Sequence, residues 1–234
     1  MNHLSYMQEN LTHVRAQIAE AELAAGRERE TVMLAAVKYG SDEEVRALLS
    51  CGVTDVGENR VQQLLERWSL FSEHGTRVHF IGSLQTNKVK YIIDKVAMIH
   101  SVDSQRLAEE IDRRAGAKGL CMDVLVEING AREEAKSGVL LEEAEALCRQ
   151  LLTLQHVRLR GFMTMGPRFA SQAEYRAYFA SVRACGDALW STLGLEGEPL
   201  YSMGMSESFC AAIAAGSHMI RVGRRLFQKE INLT

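Results

Sequence analysis

Apolar residues follow two rhythms along this chain. Leu4, Met7, Leu11, Val14, Ile18 and Ala21 recur every three or four positions, which predicts an amphipathic helix over residues 4–25. From residue 31 onward short apolar runs take over, near 32–37, 53–57, 77–82, 97–102, 121–129, 157–165, 199–203 and 218–222. Helical spacing returns between them. It is carried by Val45, Leu48 and Leu49 in 42–50, and by Val61, Leu64, Leu65 and Trp68 in 59–70. Val89, Ile92 and Ile93 carry it in 86–95, and Leu107, Ala108 and Ile111 in 104–116. Ala144, Leu147 and Leu151 mark 140–153, and Tyr175, Tyr178, Phe179, Val182 and Leu189 mark 171–193, with shorter segments at 206–215 and 223–229. Ser41 with Glu44, and Ser171 with Glu174, have the capping-box spacing that starts a helix. Eight strand-like runs, each followed by a helix-like segment, predict an α/β protein: a closed (β/α)8 TIM barrel with an extra N-terminal helix, as one domain over 1–234. An open doubly wound sheet is the alternative, but it usually carries fewer strands. No Gly-rich dinucleotide loop follows the first run and no P-loop occurs.

Composition narrows the class. The 234 residues are 47% hydrophobic and 24% charged, ordinary values for a chain that buries a sizeable core. A net charge of -3 gives no footing for nucleic acid or an anionic membrane as partner. Cys51, Cys121, Cys148, Cys185 and Cys210 are scattered and form no CxxC pair, so reduced thiols in a cytoplasmic protein are expected. The N-terminal stretch lacks an apolar signal-peptide core, and no run approaches membrane-spanning length.

In such a barrel the chemistry gathers at the C-terminal ends of the strands. The first run ends in Lys38, just before the Ser41 cap. A lysine there is either a solvated residue or an amine tuned to attack a carbonyl. The later ends carry Gly57-Glu58-Asn59, His79-Phe80-Ile81-Gly82, His100-Ser101-Val102-Asp103, Glu127-Ile128-Asn129 and Met163-Thr164-Met165-Gly166. The last two carry Ser202-Met203-Gly204-Met205-Ser206 and Arg221-Val222-Gly223-Arg224, and their small residues suit the usual phosphate site of the fold. Arg224 and Arg225 begin a helix, an unfavourable place for cations without an anion or a carboxylate nearby. If Ile220 and Val222 face the helices, Arg221 points into the barrel and needs an acceptor, either a ligand ring nitrogen or a barrel carboxylate. His79 and His100 lack ligand spacing and read as satisfied barrel histidines. Asn59 reads as a ligand contact or a loop anchor, and Asn87-Lys88-Val89-Lys90 as a solvated helix face. Met163, Met165, Met203 and Met205 read as packing around an organic ligand or the core. An attacking lysine, an aromatic-sized space and a phosphate cradle together fit pyridoxal 5′-phosphate (PLP).

Several longer motifs carry a family resemblance. Ala36-Val-Lys38, Gly57-Glu-Asn-Arg-Val-Gln62, His79-Phe-Ile-Gly-Ser-Leu-Gln-Thr-Asn-Lys88, His100-Ser-Val-Asp-Ser104, Ser202-Met-Gly-Met-Ser206 and Arg221-Val-Gly223 resemble the pyridoxal-phosphate homeostasis proteins, single-domain barrels similar to the N-terminal domain of alanine racemase. The resemblance implies that Lys38 carries PLP as a Schiff base and that Asn59 lies by the cofactor. It also implies that Ser202, Gly204 and Gly223 hold the phosphate, with Met203 and Ser206 nearby, and that Arg221 faces the pyridine nitrogen. Three residues depart from the family pattern: Arg224 in place of Thr or Ser, Ser83 in place of His, and Ser208 in place of Asp.

The function the resemblance implies is PLP carriage: a cytoplasmic, monomeric protein of vitamin B6 homeostasis without strong turnover, with apo PLP-dependent enzymes as recipients. A PLP-dependent amino-acid racemase is the alternative. Racemisation needs a base on each face of the substrate carbon, and the second base of alanine racemase comes from a further domain that this chain is expected to lack. Tyr39 and Tyr201 remain as candidate bases. A lysine aldolase acting on sugar phosphates is a third reading, and it would show no cofactor chromophore.

Overall fold

The computed structural model describes residues 5–27, 29–132 and 137–229; Leu4, at the start of the predicted helix stripe, lies outside them. Eight strands follow the predicted runs: β1 (Val32–Ala36), β2 (Asp55–Glu58), β3 (Arg77–Phe80), β4 (Met98–Val102), β5 (Met122–Ile128), β6 (Val157–Thr164), β7 (Leu200–Met205) and β8 (Met219–Val222). Each pairs in parallel with the next, and β8 pairs with β1, which closes the barrel. The helices are α1 (Ser5–Ala24), α2 (Asp42–Ser50), α3 (Val61–Glu66), α4 (Trp68–Glu73), α5 (Val89–Ile92), α6 (Gln105–Gly116), α7 (Leu141–Leu151), α8 (Gln172–Thr192), α9 (Phe209–Ala214) and α10 (Arg224–Phe227).

Strand alternation sorts the apolar residues into two cores. Leu34, Ala36, Ile81, Met98, Leu125, Met163 and Met219 fill the barrel interior. Ala35, Val37, Val56, Val124, Phe162, Ile220 and Val222 face outward into the layer shared with the helices. Both capping boxes form: Ser41 and Ser171 each accept from the backbone N–H of Glu44 and Glu174, whose carboxylates accept in return. α1 buries Met7, Leu11, Val14 and Ile18, and Asn10 on the same face donates to the carbonyls of Leu226 (3.3 Å) and Gln228 (2.8 Å). The extra helix is thereby tied to the last turn of the barrel.

Two predicted helices are not single. The segment 59–70 divides into α3 and α4 at Arg67, whose backbone leaves the helical region at φ -96°, ψ 2°. The segment 86–95 is a 3-10 turn, Thr86–Lys88, followed by the single turn of α5. Hydrophobic spacing cannot register such breaks, because a kink of one residue leaves the apolar stripe nearly in phase.

Candidate functional site

Positions 34 and 36 of β1 face the barrel interior, and Lys38 follows two residues past the C-terminal end of that strand. The strand itself ends at Ala36; Lys38 sits in a 3-10 turn, Val37–Tyr39, and is exposed, with Nζ 5.0 Å from the centroid of the Tyr39 ring. Arg67 holds this turn from outside. Its Nη1 donates to the Val37 carbonyl (2.9 Å), its Nη2 to the Gly40 carbonyl (2.7 Å) and its Nε to Asp42 Oδ1 (2.8 Å). The carbonyls on both sides of Lys38 are therefore pinned by one guanidinium. Glu58, fully buried at the end of β2, lies with Oε1 3.5 Å from Arg67 Nη1, and burial pushes its carboxyl up to about 7. Periodicity had marked Arg67 only as a helix residue, and nothing in the sequence signals this clamp.

Arg221 forms the floor. The register places it opposite Leu34 of the neighbouring β1. Ile220 and Val222 pack outward, as the alternation predicts, and Arg221 is buried inside. Its acceptors are neither a ligand nor a bonded carboxylate. Nη1 donates to the carbonyl and to Oγ of Ser202, both at 2.7 Å, and Nη2 to the Thr164 carbonyl at 2.9 Å. Full burial lowers its pKa to about 10, with Glu127 acting in the opposite sense. The Glu127 carboxyl is itself pushed up to about 7, chiefly by burial and then by the Asp103 charge. Five N–H groups less these three leave Nε–H and one Nη2–H of Arg221 without an acceptor among the described residues.

The other predicted residues divide. Asn59, just after β2, is half-buried, and its Oδ1 has no hydrogen-bond partner among the described residues. Ser206 is buried and its Oγ accepts from the Gly223 N–H at 3.3 Å, so the β7 and β8 loops meet at those two residues. Gly204 has φ +90°, a region that favours glycine, and a Cβ there would lie 2.5 Å from that of Ala212. A Cβ on Gly223 would lie 2.7 Å from the Tyr39 ring and 3.0 Å from the Ala36 carbonyl. The missing side chain is what lets the β8 loop close against the Lys38 turn. Ser202 lies deeper than a phosphate loop, with its Oγ bonded to Arg221 and to His100 Nδ1. The Met203 side chain is not at the mouth. It packs in the outer core, while its backbone N–H donates to Ser217 Oγ. Arg224 is exposed and pairs with Glu207 at 2.7 Å, which is the carboxylate its position called for.

The remaining departures are readily placed. Ser208 Oγ accepts from the Met205 N–H at 3.1 Å, closing the turn as an Asp carboxylate would. Ser83 is exposed. His79 and His100 are satisfied, as expected, but by each other and by Asp55 and Ser202. Tyr201 faces away from the mouth, with its hydroxyl donating to Asp187 at 2.7 Å; burial, then Asp187, raises its pKa. Asn87, Lys88 and Lys90 are exposed while Val89 is buried, a solvated helix face.

The site thus gathers a lysine just past β1, a buried guanidinium on β8, an amide oxygen unpartnered among the described residues, and the meeting β7 and β8 loops. The chain belongs to the family described as alanine racemase, N-terminal domain, which it matches over residues 3–229. It is 39% identical over 220 residues to the pyridoxal phosphate homeostasis protein of Aquifex aeolicus (strain VF5), a match covering 94% of this chain and 96% of that one. The Escherichia coli (strain K12) protein of the same name is 33% identical, over 93% of this chain and 94% of its own. Among solved structures, PipY of Synechococcus elongatus PCC7942 with PLP bound superposes with a TM-score of 0.83 at 30% identity, over 95% of this chain and all (100%) of that one. An alanine racemase of Clostridium difficile 630 shares the fold at 19% identity and a TM-score of 0.68, and this chain covers 57% of its length. The resemblance read from the motifs is borne out.

Proposed function

We propose that this protein binds PLP as a Schiff base on Lys38 and serves intracellular vitamin B6 homeostasis as a carrier without strong turnover. The reading is carried by Arg221, buried on the inward face of β8 with two guanidinium N–H groups unspent, and by Lys38 just past the end of the neighbouring β1. Bound PLP would supply an aldehyde and an electron-withdrawing ring. Asn59 Oδ1 would accept beside it, and Ser206 with the Gly204 and Gly223 backbone would hold its phosphate. Arg224 would meet the phosphate with the N–H groups that its pair with Glu207 leaves free. Arg221 stays a cation at neutral pH and denies the ring nitrogen a proton, which weakens the ring as an electron sink. Tyr201 is turned away from the mouth, and Tyr39 lies on the same turn as Lys38, which supports the absence of a second base on the opposite face. The carrier would work in the cytoplasm and as a monomer, handing PLP to apo-enzymes; no described helix is long and apolar enough to cross a membrane.

The test is the visible spectrum of the purified protein, then borohydride reduction and mass mapping. A cofactor band and a pyridoxyl adduct on the Lys38 peptide are expected, and Lys38→Ala should lose both. A colourless protein that stays unlabelled with added PLP refutes the reading. Racemase turnover above the Lys38→Ala control refutes the carrier role.

A further inference from the structure

A continuous line of side chains crosses the barrel interior, and the proposed cofactor contacts use only its last member. At the base, the Asp55 carboxylate accepts from Arg77 Nε and Nη2, both at 2.8 Å, and from Thr54 Oγ1 at 2.8 Å. His79 Nε2 is 3.1 Å from Asp55 Oδ1, and His79 Nδ1 is 2.9 Å from His100 Nε2. His100 Nδ1 is 3.0 Å from Ser202 Oγ, which accepts from Arg221. Every member after Arg77 is buried, His100 and Ser202 completely.

The chemistry of the donors gives this line a direction. Asp55, hydrogen-bonded to His79, Arg77 and Thr54, is held well below the usual carboxylate range and can only accept. His79 must therefore donate through Nε2. With uncharged rings its Nδ1 is then a lone pair, so His100 donates through Nε2 and accepts at Nδ1 from the Ser202 hydroxyl. That turns a lone pair of Ser202 toward Arg221. Burial holds His100 far below its ordinary value, which keeps its ring uncharged. No other arrangement of neutral rings gives each donor an acceptor.

We propose that Asp55, His79 and His100 are positioning residues for Arg221: a one-way hydrogen-bond relay that presents Ser202 as an acceptor and so fixes the guanidinium beneath the cofactor ring. The carboxylate at one end of the barrel sets the orientation of a cation at the other. The consequence at the cofactor rests on the PLP reading above; the relay itself does not.

The first arm needs no cofactor. Side-chain 15N NMR of the unloaded protein should show His79 and His100 both neutral and both protonated on Nε2. In Asp55→Asn the amide can donate, so both rings should switch to Nδ1–H together, much as a triad histidine does when its aspartate becomes asparagine. An imidazolium at either site, or a His79 that switches while His100 does not, overturns the relay. Ser202→Ala tests the direction independently, should the Asp55 variant not fold. Both tautomers should survive, because they are set from the Asp55 end, and a switched tautomer overturns the proposal. The second arm loads each variant with PLP. Roughly tenfold weaker binding is expected of Ser202→Ala, where a buried N–H of Arg221 loses its acceptor, and a redistribution between the cofactor's absorption bands of Asp55→Asn, where Arg221 comes to share Ser202 Oγ with a donating His100. Unchanged bands and affinity in a variant with altered tautomers overturn the positioning role. Failure of the wild-type protein to take up PLP sinks the cofactor reading alone, and the tautomers still decide the relay.

Discussion

Arg67 links three features at the residue scale: a break between two helices, a pinned turn and a buried carboxylate. Removing it frees both carbonyls beside Lys38 and takes the facing cation from Glu58, whose buried carboxyl then holds its proton more firmly. Arg67→Ala should therefore lose about 1–3 kcal/mol by urea denaturation at neutral pH, chiefly from the two buried carbonyls left without a donor. Glu58 also predicts a pH dependence. Its folded value of about 7 lies above the ordinary 4.5. Between those values the folded protein keeps a proton that the unfolded chain has released, so stability falls as pH rises through that window. Glu58→Gln removes this contribution, and its stability relative to wild type should improve by about 2–3 kcal/mol between pH 5 and pH 7.5. In the variant Glu127, which burial raises in the same way, keeps a slope of that sign, and the neutral buried His100 adds one of the opposite sign.

At the scale of elements, α8 shows how closely the helical layer sits on the barrel. Gly186, buried at mid-helix, faces β6 and β7, and a Cβ there would lie 2.5 Å from Tyr201 Oη and 2.9 Å from the Phe162 ring. Ala is ordinarily the better helix former by about 1 kcal/mol. Here the overpacking term dominates, and Gly186→Ala should lower stability by about 1–3 kcal/mol. The same substitution at Gly52 meets no atom within 4 Å, yet its φ of +80° brings backbone strain instead. A thermal melt of the two variants separates crowding from strain: Gly186→Ala combined with Tyr201→Phe regains stability, whereas Gly52→Ala has no such partner.

At the scale of the molecule, the exposed large hydrophobics among the described residues are few and spread over several elements: Leu23, Tyr39, Tyr91, Leu120, Leu141, Leu152 and Met205. Such a sparse set is ordinary for a monomer's surface. Light scattering should therefore return a particle near 26.1 kDa, with or without PLP; a dimer would refute the monomeric carrier. Met205 and Tyr39 are the exposed apolar residues at the mouth itself, beside Lys38 and the β7 loop.

The fold was readable in the sequence, and so was the place of Lys38 just past the first strand, because both are local facts. Period-two and period-3.6 patterns count strands and helices, and alternation along β8 was enough to turn Arg221 inward. The sequence by itself determined the barrel, the strand ends and the motif Ala36-Val-Lys38. What surrounds those residues was decided by tertiary structure. Ser202 became a partner of Arg221 and His100, Met203 turned outward to the helices, and Arg67 reached across to the Lys38 turn. Each of these depends on which strands close beside one another and at what register. Contacts such as His100 with Ser202, 102 residues apart, leave no periodic trace along the chain.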